Sequence, residues 1–97
     1  MSIHDLLNQK TSYEVRHALR ERFRARRKEW KLSQKALSEK ADVSLGSLKR
    51  FESSGNISLN SLIKLAFALG YEDDFDQLFS RKHYRSIQDV IDDVESQ

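Results

Sequence analysis

The sequence predicts a small all-helical domain, and three observations carry the prediction. Proline is absent, and only Gly46, Gly55 and Gly70 interrupt a chain rich in Leu, Ala, Lys, Arg and Glu, the residues that suit helix interiors. Apolar residues recur at steps of three and four behind successive Ser and Thr residues, the pattern of capped amphipathic helices. At 97 residues the chain is also short enough for a single core, with room for a terminal extension.

The elements follow in order. Residues 1–12 form an N-terminal arm, and Thr11 or Ser12 caps a first helix over Tyr13–Trp30. Val15, Leu19, Phe23 and Trp30 fall on one face of it, with Phe23 and Trp30 read as core residues. Its remaining surface is basic, with Arg16, Arg20, Arg22, Arg24, Arg26, Arg27 and Lys28 repelling one another at several i,i+4 spacings. That run is either a solvated face or, in part, a contact for an anionic partner.

Ser33 caps a second helix over Gln34–Ala41 with Ala36, Leu37 and Ala41 inward, and Asp42 breaks it. Ser44 caps a third, Leu45 to about Ser53, with Leu48 and Phe51 inward and Lys49 and Arg50 outward. A loop around Gly55 leads to Ser58, the cap of a fourth helix. Leu59, Leu62, Ile63, Leu65, Ala66 and Leu69 make that helix the centre of the core, and Gly70 stands where a left-handed C-cap belongs.

Phe75, Leu78 and Phe79 suit a short fifth helix over Tyr71–Phe79, with Glu72, Asp73 and Asp74 at its positive end. The domain thus spans 13–79 and a tail covers 80–97. In the tail, Ser86 and Asp89 form a capping-box pattern ahead of Ile87, Val90, Ile91 and Val94, an apolar stripe at i, i+3, i+4 and i+7. A segment this short needs something to pack on.

Charge and composition exclude several functions. The formal net charge is +2, but residues 1–50 hold 13 Lys/Arg against 6 Asp/Glu while residues 51–97 hold 4 against 9, so a basic half faces a polyanion and an acidic half faces water or a basic partner. Without cysteine there is no disulfide or thiolate metal site. His4, His17 and His83 lack zinc-ligand spacing, and the cluster Asp73, Asp74 and Asp76 is accounted for by helix-start capping. No glycine loop cradles a phosphate, so neither enzyme activity, metal nor cofactor is expected. The absence of a long apolar run and of a secretion signal at the start gives a cytoplasmic expectation without membrane contact.

Helices two and three, SQKALSEKADVSLGSLKRF over Ser33–Phe51, are spaced as one short helix bracing another for entry into a DNA major groove. Leu37, Ser38, Ala41, Val43, Leu48 and Phe51 supply the small and apolar side chains needed at the crossing. Asp42 occupies the turn, where positive φ is required and glycine serves better.

LSQKALSEKA, the V-S-x-x-S-L-x-x-F-E run at Val43–Glu52 and SLNSLIKLAFALGY at Ser58–Tyr71 together resemble the Cro and lambda repressor-type domains of the XRE family, five-helix binders of double-stranded DNA. The resemblance covers about Leu19–Tyr71 and departs from the family at Ser38 and Asp42. It implies a transcription regulator, most simply a repressor, acting as a homodimer. By the same resemblance, Ser44, Leu45, Gly46, Ser47 and Arg50 face bases and Ser33, Gln34, Ser53, Asn56 and Asn60 face phosphates. Lys49 is added as a base or phosphate contact and Lys35 as a phosphate contact. Arg27 and Glu52 would form an internal ion pair, and Leu59, Phe75 and Phe79 are dimer candidates. Tyr84–Ile91, YRSIQDVI, is similar to tails of small proteins encoded beside Hip-type kinase toxins, which implies an antitoxin-autorepressor and makes Tyr84, Ile87, Val90 and Ile91 candidates for partner or dimer contact.

Overall fold

The computed structural model describes residues 10–96; most of the expected arm, His4 included, and Gln97 lie outside them. Among the described residues five α-helices and one 3₁₀ helix follow one another without a strand: α1 (Ser12–Glu29), α2 (Gln34–Ala41), α3 (Leu45–Ser54), α4 (Leu59–Leu69), the 3₁₀ helix Glu72–Gln77, and α5 (Ile87–Glu95). Each α-helix starts on a hydroxyl. Thr11, Ser33, Ser44, Ser58 and Ser86 accept hydrogen bonds from the backbone N–H groups of Glu14, Ala36, Ser47, Ser61 and Asp89, satisfying one orphan donor in every first turn. Asp42, Gly55 and Gly70 end α2, α3 and α4 in the left-handed region. Only Gly55 is also pinned by packing: a Cβ there would lie 2.8 Å from the Cβ of Arg16.

The core collects one face from each of four helices. Phe23 of α1, Leu37 and Ala41 of α2, Val43 of the turn, Leu48 and Phe51 of α3 and Leu65 and Leu69 of α4 are buried together, with Leu19, Leu32, Ile57, Leu62 and Ala68 packed around them. Phe23 and Phe51 meet edge to face, centroids 5.1 Å apart. In this arrangement α3 is held between α1 and α2, and α2 rests on α4. Ser38, the polar residue at the crossing, is buried at no hydrogen-bonding loss because its hydroxyl donates to the Lys35 carbonyl at 2.7 Å.

Several sequence expectations are corrected. Helix α1 ends at Glu29, and Trp30 is 49% exposed with the Lys40 ammonium 4.3 Å from its ring centroid, so it is a surface residue and not a core one. Val15 is 50% exposed, because the neighbouring helices cover α1 from Leu19 onward. Leu59 lies on the open side of the first turn of α4, 65% exposed. The fifth helix is a six-residue 3₁₀ turn without a side-chain cap: three carboxylates crowd its start, Phe75 alone is partly buried, and Phe79 turns outward with φ 58° and full exposure.

The tail forms its helix, but α5 buries no residue. The polar strap before it folds onto α5: the Lys82 ammonium reaches both oxygens of Asp93 at 2.7 and 2.8 Å, and the Tyr84 hydroxyl donates to the same carboxylate at 2.8 Å. Asp89 accepts from the Arg85 backbone N–H, one residue earlier than a reciprocal capping box requires.

Candidate nucleic-acid interface

The recognition surface is built from the turn outward. Asp42, with φ 57° and ψ 48°, reverses the chain so that Val43 enters the core and Ser44 caps α3. Inside α3, Leu48 and Phe51 are fully buried, which leaves Gly46, Lys49 and Arg50 exposed and Leu45 and Ser47 half-buried. A Cβ at Gly46 would meet nothing within 4 Å, so this stretch of helix offers bare backbone. At its start the Ser44 hydroxyl donates to that of Ser47 at 2.8 Å.

A charged clamp sets the tilt of α3. Arg27 grips Glu52 with both arms of its guanidinium, Nε to Oε2 at 2.7 Å and Nη2 to Oε1 at 2.8 Å, and its Nη1 donates to the Leu32 carbonyl at 2.9 Å. The Gln34 amide donates to Oε1 at 3.2 Å, and Arg24 Nε stands 3.4 Å from the same oxygen. Burial is the largest single influence on the Glu52 carboxyl and works against its charge. The hydrogen bond and charge of Arg27, with the bonds from Gln34 and Arg24, together outweigh it and hold its pKa below the ordinary 4.5.

The basic face of α1 is divided by this packing. Arg24 Nη2 donates to the Glu52 carbonyl at 3.0 Å, and Arg20 Nη1 donates to the carbonyls of Glu52 and Ser53, so two cations sit on the negative end of α3. Arg20 is held there in turn by His17, whose Nδ1 lies 2.7 Å from Nη2. Arg16, Arg20, Arg24 and Arg27 fall at steps of four and three, the spacing that marks one helix face; the same run also contains Arg22 and Lys28, which are exposed, and Arg26, which pairs with Glu29 at 2.8 Å.

A helix-turn-helix family model matches residues 23–75, more than half of the chain. The chain belongs to the XRE-type helix-turn-helix family. No curated protein and no solved structure matches it. The family is one of DNA-binding transcription regulators and not of enzymes, and the protein is accordingly a regulator that binds double-stranded DNA. Among the described residues no helix is long and apolar enough to cross a membrane.

Within this helix-turn-helix protein the residues expected at phosphates lie on two helix starts, one helix end and the loop between α3 and α4. Ser33, Gln34 and Lys35 open α2; the Ser33 hydroxyl is engaged as the cap, the Gln34 amide is partly committed to Glu52, and Lys35 is exposed. Ser53 closes α3, its hydroxyl donating to the Arg50 carbonyl at 3.2 Å, while Asn56 and Asn60 are exposed in the loop and in the first turn of α4. The Gln34–Glu52 bond fixes the start of α2 beside the second half of α3. Arg20 and Arg24, absent from the sequence-derived site, hold the C-terminal end of α3.

Proposed function

We propose that the protein is a homodimeric repressor that lays α3 in the major groove and reads its operator chiefly through Arg50. One observation carries this reading: α3 is clamped on its inner side by Arg27–Glu52 and the Leu48–Phe51 core while Lys49, Arg50 and Gly46 stand uncovered on the other. Arg50 supplies a bidentate donor for guanine O6 and N7, Leu45 an apolar contact for a thymine methyl, and Ser44, Ser47 and Lys49 further donors. Ser33, Gln34, Lys35, Ser53, Asn56 and Asn60 fix register on phosphates. Two copies are required because a helix with one strong base reader supplies too little specific affinity by itself.

The test compares operator and scrambled DNA in a gel shift. Arg50→Ala costs about 1–3 kcal/mol of operator affinity and leaves scrambled-DNA binding nearly unchanged. Equal losses on both would remove Arg50 from base readout.

A second reading has its own support. The apolar stripe of α5 is uncovered, and the Tyr84–Ile91 resemblance suggests an antitoxin that holds a Hip-type kinase. In that reading the tail recruits the toxin while α3 represses the shared promoter.

A further inference from the structure

Two of the apolar surfaces that stand open among the described residues carry opposite charges. The first is the stripe Ile87, Val90, Ile91 and Val94 on α5, all exposed. The second is an open groove where the end of α1 meets α2 and α4, lined by Trp30, Ala41, Phe67 and Ala68 together with Lys40 and Lys64. Trp30 and Phe67 are large exposed aromatics, whereas the two alanines leave room for a helix to approach.

Electrostatics select the pairing. Helix α5 contains Asp89, Asp92, Asp93 and Glu95 and no Lys or Arg. Three of these acids crowd its last turn, the negative end of the helix dipole, where carboxylates are unfavourable and cations are favoured. Lys82 answers Asp93 within the chain. Arg85 answers Asp89, and the groove presents Lys40, which lies over Trp30, and Lys64, which stands 3.8 Å from Asp42, to Asp92 and Glu95. Another open groove, beside the start of α3, carries Glu39 and Asp42 and would repel an acidic helix.

We infer that α5 of one copy seats in the Trp30–Phe67 groove of a second copy, and that the exchange is reciprocal. Within a single chain the groove stays open while the strap is tied to α5 through Asp93, so the tail and its helix present themselves as one unit to another molecule. Reciprocal exchange closes under two-fold symmetry and leaves neither surface bare. It also doubles the buried area, which lets a nine-residue helix reach the roughly 1,200 Å² at which specific interfaces begin.

This inference supplies the contact surface for the homodimer proposed above and rests on that part of the reading; its test contains no DNA, so failure of base readout leaves it standing. Sedimentation velocity is run on the full chain, on Val90→Asp and on Phe67→Asp, with circular dichroism to verify helical content. Both positions are exposed, so both variants keep the fold. The wild type sediments as a dimer, and each variant loses the dimer boundary. A monomeric wild type would overturn the inference in favour of a different partner, such as a kinase. A Phe67→Asp protein that stays dimeric would overturn the groove assignment, and a Val90→Asp protein that stays dimeric would overturn the seating of α5.

Discussion

Glu52 shows how one residue joins stability to function. It is a fully buried carboxylate, and burial works to raise its pKa. The bidentate Arg27 keeps it charged, and in return Glu52 fixes the end of α3 against α1. Removing one member of such a pair leaves the other buried and unpaired, so Glu52→Ala lowers stability by about 3–5 kcal/mol in a urea titration. The pH dependence has a defined sign. Since the folded pKa lies below the ordinary 4.5, the stabilisation is complete above that value and is lost as pH falls through the folded value. Melting temperature therefore drops on acidification below about 4.5, and Glu52→Gln flattens that part of the profile.

At the scale of elements, α3 is short and secured at both ends. Its N-terminus is closed by Ser44, and its C-terminal carbonyls by Arg20 and Arg24. A ten-residue helix is marginal in isolation, so these contacts and the buried face hold it. Ser44→Ala removes the cap and costs about 1 kcal/mol. In a thermal melt without DNA this appears as a fall of about 4–8 °C, and an unchanged melt would mean that another group caps α3. The turn before it carries a built-in cost: Asp42 holds a left-handed conformation that glycine adopts freely, and its carboxylate gains only a distant Lys64, 3.8 Å away and exposed.

The whole molecule separates its charges. The basic helix α1 and helix α2 pack against α3, and the acidic tail forms a separate helix that buries none of its residues. A two-fold dimer built on this plan reads half-sites about 34 Å apart, one turn of DNA. Inserting about half a turn between the half-sites of the operator therefore reduces binding to the level of scrambled DNA in a gel shift, because the second α3 then faces the wrong side of the duplex. Retained affinity would indicate binding by single copies.

Much of this architecture is legible in the linear pattern, because helix starts are local events. A Ser or Thr hydroxyl bonds an N–H three residues ahead whatever else is nearby, so the five caps and the glycine ends of α3 and α4 stand where the sequence puts them. The turn at Asp42 and the alternation of Leu48 and Phe51 with Lys49 and Arg50 follow from the same short-range rules, and so does the helix-turn-helix. Burial is not local. Whether Trp30, Val15 or Leu59 turns inward depends on what packs opposite, and among the described residues all three stay outside the buried cluster. The run Tyr71–Phe79 tightened into a 3₁₀ turn because its carboxylates and a single partly buried ring could not hold an α-helix. The arginines of α1 are alike in sequence, and only the approach of α3 separates those that bind its C-terminus from those left in water. The sequence by itself determined the five capped α-helices, their order and the helix-turn-helix, since those rest on bonds between near neighbours. The tertiary structure alone decided which side chains are clamped, which stand free and which apolar faces stay uncovered, since those depend on contacts between residues far apart along it.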